Sequence, residues 1–123
     1  MSAAAEFKKI AGKEQNVGAQ FFLKAFKLPG VQDAFSQFKG KNVSEADLLT
    51  HGGIVIAFLK DKVAGGSGVD GFVSSHKQKA GVTIELINAA KGSLVDTFAE
   101  AGMDRAVMDK FVGDFLGSVS GKW

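Results

Sequence analysis

The chain has no cysteine, no tyrosine, one proline, one tryptophan and two histidines. Without cysteine there are no disulfides, no thiol nucleophile and no cysteine-ligated iron–sulfur cluster, which suits a reducing compartment. Arginine is nearly absent too: Arg105 is the only one among 15 basic residues. These are interspersed with 13 acidic residues for a net charge of +2, so no basic block or arginine stripe forms. A nucleic-acid interface is therefore not expected. The opening residues MSAAAEFKKIAGK lack the apolar run of a signal peptide. No uninterrupted apolar run approaches the roughly 20 residues that span a bilayer. The expectation is a soluble, cytoplasmic protein with neither nucleic acid nor membrane as partner. Alternating strand patterns, internal repeats and linkers are missing as well. The glycines at 65–68 are not preceded by a strand or followed by Gly-Lys-Ser/Thr, which excludes a phosphate loop.

What remains is a helical pattern. With 123 residues, 46% of them apolar, the chain suits one domain, 1–123, around one core. Phenylalanine is abundant, at 11 residues. That many flat rings suits a core wrapped around something flat, and equally suits ordinary helix packing. In chain order, helices are expected over residues 2–12, with Phe7 and Ile10 as apolar contacts, and over 13–27. In the second, Val17, Phe21, Leu23, Ala25 and Phe26 dominate. Pro29-Gly30 breaks the chain before a short turn ending in Phe35 and Phe38. GVTIELINAAKGSLVDTFAEAG reads as one long helix carrying Ile87, Ala90, Leu94 and Phe98, with Gly102 as its stop. Asp104 caps a last helix, whose apolar stripe is Val107 or Met108 with Phe111, Val112, Phe115, Leu116 and Val119. The final SGKW reads as a frayed tail.

The stretch Ser44–Lys79 holds both histidines. Ser44 and Asp47 resemble a capping box at the start of a helix. Leu48, His51, Val55, Phe58, Leu59 and Lys62 then follow at helical steps, which puts His51 on an apolar face. Gly52 and Gly53 each cost roughly 1 kcal/mol inside a helix. A close neighbour, such as another helix backbone, is one reason to keep them. After the flexible Gly65–Gly68 link, Val69, Phe72, Val73 and His76 share a second face. Gly71 weakens that helix's first turn and Gly81 ends it, so its intrinsic propensity is small; a metal bond to His76 would fix it.

A lone histidine on an apolar face is more often a packed core residue than a ligand. Two of them on neighbouring helices, with no others in the chain, change the balance. Structural zinc takes about four ligands, often cysteine, and neither histidine has a second histidine at helical spacing. A Ser-His-Asp triad would have to consume His51 or His76, and nothing argues for one. A haem needs only axial ligands and an apolar slot. The residues thus read as two helices facing each other across a flat iron cofactor.

From about Val17 to Val119 this pattern resembles the globin family, in particular the shortened globins of invertebrate nerve and muscle. Pro29 corresponds to the proline opening the third helix. Phe35, six residues on, corresponds to the phenylalanine that stacks on haem, and Phe38 to the second phenylalanine of that corner. His51 and Val55 match the distal histidine and the small apolar residue above the iron. Ser75 and His76 match the serine and proximal histidine pair, and Phe21 the distal position on the second helix. There are departures. The terminal helices are short, and the corner between Phe38 and His51 leaves little room for a fourth helix. Phe21 stands where many invertebrate members carry tyrosine, and Ala80 where many carry a polar partner for a haem propionate.

The resemblance implies an all-α, globin-like fold: a shortened 3-on-3 helical sandwich around a pocket for non-covalent haem b. His76 would be the proximal iron ligand, with Ser75 or a backbone carbonyl orienting its ring, and His51 would lie on the ligand side. Phe21, Phe35, Phe38, Val55, Phe72, Val82 and Ile87 would line the slot, and Lys79 would reach a propionate or remain a solvated surface charge. The implied function is reversible binding of dioxygen for storage or transport, with CO and NO as related ligands. It is not enzymatic. Alternatives are a haem enzyme with peroxidase or nitric-oxide dioxygenase chemistry and a cofactor-free helical interaction module. Homo-oligomers are neither required nor excluded.

Overall fold

The computed structural model describes residues 2–28, 43–63, 65, 69–77 and 83–123, the side chains of residues 69 and 75–77 excepted. Among the described residues the chain is all-α. Its helices are α1 (Ala3–Lys8), α2 (Glu14–Ala25), α3 (Glu45–Val63), α4 (Val69–Lys77), α5 (Ile84–Ala89), α6 (Lys91–Glu100) and α7 (Arg105–Lys122). The expected turn at 31–38, with Pro29, Phe35 and Phe38, lies outside the described residues, as do Gly66–Gly68, Lys79, Gly81 and Val82.

Helix ends follow local chemistry. The first orphan N–H groups of a helix need acceptors. Ser2 supplies one to Ala5 N (3.2 Å), Ser44 one to Asp47 N (3.1 Å), Thr83 one to Leu86 N (3.1 Å) and Asp104 one to Val107 N (3.0 Å). The expected caps at Ser44 and Asp104 are thus both made. Gly102 stops α6 in the left-handed region, at φ +93°. Met103 N then reaches back to the Phe98 carbonyl (3.1 Å), the six-to-one bond of a Schellman end.

Three readings of the sequence are corrected. The helix expected over residues 81–102 is two among the described residues, because Ala90 N bonds to the carbonyl of Ile87, three residues back. That tightens one turn into 3₁₀ geometry. Ile87 and Ala90 are three apart in either helix type, so the apolar pattern runs through the break unmarked. The C-terminal residues are not frayed: α7 continues to Lys122, which pairs with Asp70 at the start of α4 (2.7 Å), and Trp123 packs against the core. Leu23, read as a dominant contact of α2, is 46% exposed, and its neighbour Phe22 is buried instead.

The core joins every long helix. Ile56 and Leu59 of α3, Phe98 of α6, and Met108, Val112 and Val119 of α7 are all at most 2% exposed. Full burial of such a side chain is worth about 1.5–3 kcal/mol. Phe7 of α1 meets Phe98 and Phe111 edge-on at 5.6 and 5.8 Å. The most extensive helix pairing among the described residues is α2 with α3; α6 packs on α7 and α2, and α4 on α7. No described helix is long and apolar enough to cross a membrane.

Candidate functional site

Helix α3 has two inward faces. Leu48, Gly52, Ile56 and Leu59 are buried and form one of them. About a quarter turn round lie His51, Val55, Phe58 and Lys62, all half-buried. At 100° per residue these four fall within one narrow stripe. The single apolar face read from the sequence therefore splits: Leu48 and Leu59 belong to the core, while His51, Val55 and Phe58 belong to a second surface that is only half covered.

The position of that stripe is set by glycine. At the crossing of α2 and α3, Gly18 and Gly52 lie backbone to backbone. A Cβ at Gly52 would sit 2.7 Å from Gly18 Cα, and closer still to the Gly18 carbonyl carbon and Ala19 N. Real Cβ atoms essentially never come within 3.0 Å of such atoms. The reason expected for Gly52, a neighbouring helix backbone, is the one observed. Its partner Gly18 was not singled out, because nothing in the sequence pairs two glycines so far apart. Gly53 meets only Gln15, whose Cγ would lie 2.9 Å from an added Cβ. Phe21, on the same helix as Gly18, is buried and tilts against Phe22 at 5.1 Å.

Helix α4 faces α3 through rings. Phe72 stacks on Phe58 at 5.6 Å with 25° between planes, and both rings meet Phe115 of α7 edge-on at 5.5 and 5.6 Å. Val73 fills the core beside them. His51 lies two turns before Phe58, about 10 Å along α3, and His76 one turn after Phe72, about 6 Å along α4. Going away from the 64–68 link, the chain therefore reaches both histidines beyond the ring contact. For Ser75 and His76 only the backbone, helical within α4, is described. Ile87, on α5, is half-buried, as are Ile84 and Leu86; that helix has no fully buried residue.

No group of three or more His, Cys, Asp or Glu able to hold a metal ion exists among the described residues. What the described residues offer is His51 on a half-covered stripe with Val55 and Phe58, and further half-buried apolar chains on α4 and α5.

Sequence reasoning missed Glu6, a carboxylate only 2% exposed in α1. It accepts from Lys9 Nζ (2.8 Å) and from Asp104 N (2.6 Å), which ties α1 to the start of α7. The Lys9 hydrogen bond first, then the Asp104 N–H, hold its pKa below the ordinary 4.5, against the opposing effect of burial. Only the i,i+3 spacing of Glu6 and Lys9 could have signalled this.

No family model, curated protein or solved structure matches the chain.

Proposed function

We propose that the chain is a shortened globin-like protein that holds one non-covalent b-type haem and reversibly binds dioxygen in the cytoplasm, with CO and NO as related ligands. The observation that carries this reading is the half-buried stripe of α3. It aligns His51 with Val55 and Phe58, and Phe58 is joined by ring stacking to the helix that carries His76. Two imidazoles on two helices, bordered by apolar chains, are what a haem requires of its protein. Bound haem supplies the iron at which a diatomic ligand attaches.

In this reading the residues divide the work. His76 would hold the iron as neutral imidazole, and its other ring nitrogen would donate to Ser75 or a backbone carbonyl, fixing the ring. His51 would donate a hydrogen bond to the bound diatomic ligand. A hydrogen bond to a charged or strongly polarised acceptor contributes about 1.5–3 kcal/mol, roughly tenfold or more in affinity. Phe21, Val55, Phe72 and Ile87, with Phe35, Phe38 and Val82, would line the slot, excluding water and so slowing oxidation of the iron. Lys79 would reach a propionate or remain a solvated surface charge.

An absorption spectrum during haemin titration tests the proposal. Wild-type protein should develop a Soret band that saturates at one haem per chain. His76→Ala should lose the native spectrum and release haem readily, whereas His51→Ala should keep the pigment and release ligand faster. A chain that takes up no haemin, or a His76→Ala spectrum identical to wild type, would refute it.

A further inference from the structure

A cavity lies in a groove between α2 and α6, and neither histidine lines it. Its volume is about 290 Å³, and it is lined by Lys13, Asn16, Val17, Gln20, Lys24, Thr97, Glu100 and Ala101. That is at the small end of small-molecule sites, roughly 300–1,000 Å³. Its floor is apolar: Val17 is buried and Ala101 half-buried. Thr97 is buried too and spends its hydroxyl on the Ser93 carbonyl at 2.7 Å, so it gives the groove no donor. The rim is nitrogen. Lys13, Asn16, Gln20 and Lys24 follow one another at steps of three and four, which sets them on one stripe leading into and along α2. Glu100 is the one carboxylate of the lining, and Lys24 answers its charge at 2.7 Å. Lys13 makes no ion pair among the described residues.

We infer that this groove binds a small organic monocarboxylate with a short apolar tail, the carboxylate at Lys13 and the tail over Val17, Thr97 and Ala101. The surrounding charge is complementary. Residues 2–28 hold five lysines and two glutamates, so this segment is more positive than the whole chain at +2. A bare inorganic anion would leave the floor uncovered, and a neutral apolar molecule would leave the Lys13 ammonium unanswered. None of this depends on haem, since the groove uses neither His51 nor His76.

The test is a ¹H–¹⁵N NMR titration of the protein as isolated with sodium octanoate, run beside octanol and sodium phosphate. Octanoate should give saturable shifts at the amides of Val17, Gln20, Thr97 and Ala101. Octanol and phosphate, each matching half of the site, should bind about tenfold more weakly or worse. Lys13→Gln should weaken octanoate about tenfold, whereas Glu100→Gln, which removes the one carboxylate of the lining and its repulsion of the bound anion, should tighten it. All of these side chains lie at the surface rim, so the variants keep the core. The inference is overturned by a Kd above about 10 mM, by phosphate binding as tightly as octanoate, by shifts confined to residues 51–58 and 72, or by both variants matching wild type. A failed haemin titration would leave these outcomes untouched.

Discussion

The crossing of α2 and α3 sets the strongest expectation for stability. In Gly52→Ala the new methyl would meet Gly18 and Ala19 backbone atoms, which cannot rotate away. Its nearest contacts lie well inside the 3.4 Å at which ordinary van der Waals contact begins. The helices would have to part by on the order of 1 Å, and a gap of that size forfeits about a quarter to a half of each dispersion contact along the seam. Overpacking typically costs about 1–3 kcal/mol, and a clash with backbone belongs at the top of that range. Alanine's better helix propensity returns about 1 kcal/mol, so the net loss should be about 2 kcal/mol. Gly117→Ala is the matched control. It gains the same propensity within α7, and an added Cβ there has nothing within 4 Å. The two variants should therefore differ by about 3 kcal/mol. Urea unfolding followed by far-UV circular dichroism measures this, with the slope checked for constancy. If Gly52→Ala unfolds within about 0.5 kcal/mol of Gly117→Ala, the backbone contact is not what holds the helices together.

Other expectations rest on separate features. Gly53→Ala, opposed only by the flexible end of Gln15, should be near neutral or slightly stabilising in the same assay. Phe98→Ala should cost about 3–5 kcal/mol, because the ring is fully buried and braces Phe7; its urea midpoint reports this. Asp104→Ala removes the cap of α7 and should cost about 1 kcal/mol. The Glu6 pKa is depressed in the folded state, so the unfolded chain binds more protons as pH falls through and below 4.5. Stability from this group is fully present above 4.5 and is lost as pH falls through its lower folded value. A pH series of urea midpoints should show a shallower acid decline in Glu6→Gln than in wild type, and parallel curves would contradict the assignment.

The sequence was most readable where one residue's chemistry decides a local outcome. Ser44, Asp104 and Gly102 announce helix ends because a hydroxyl, a carboxylate and a missing Cβ each solve an end problem within a few residues. The stripe Met108–Val112–Phe115–Val119 was readable because a long helix repeats its signal. Features that depend on partners far along the chain were not. Gly18 looks like any helical glycine until Gly52 is beside it, and Glu6 like any surface acid until Asp104 N–H approaches. The division of α3 into a covered and a half-covered face was also hidden, since Leu48 and His51 share a helical face by spacing and differ only by what packs on them. His51, Val55 and Phe58 were legible only as part of one helical face that also held Leu48 and Leu59. The Phe58–Phe72 stack was not legible at all, because it joins side chains of two different helices.

The touching glycines also fix how α3 can move. Two backbones in van der Waals contact resist sliding but tolerate rocking, so Gly52 is a fulcrum. His51 sits one residue from it, and Phe58 about 9 Å away. A tilt of about 10° would displace the Phe58 end by on the order of 1.6 Å and leave the His51 backbone almost still. Thermal rocking of this rod is therefore spent at its far end, and the imidazole rides on the quietest part of the lever.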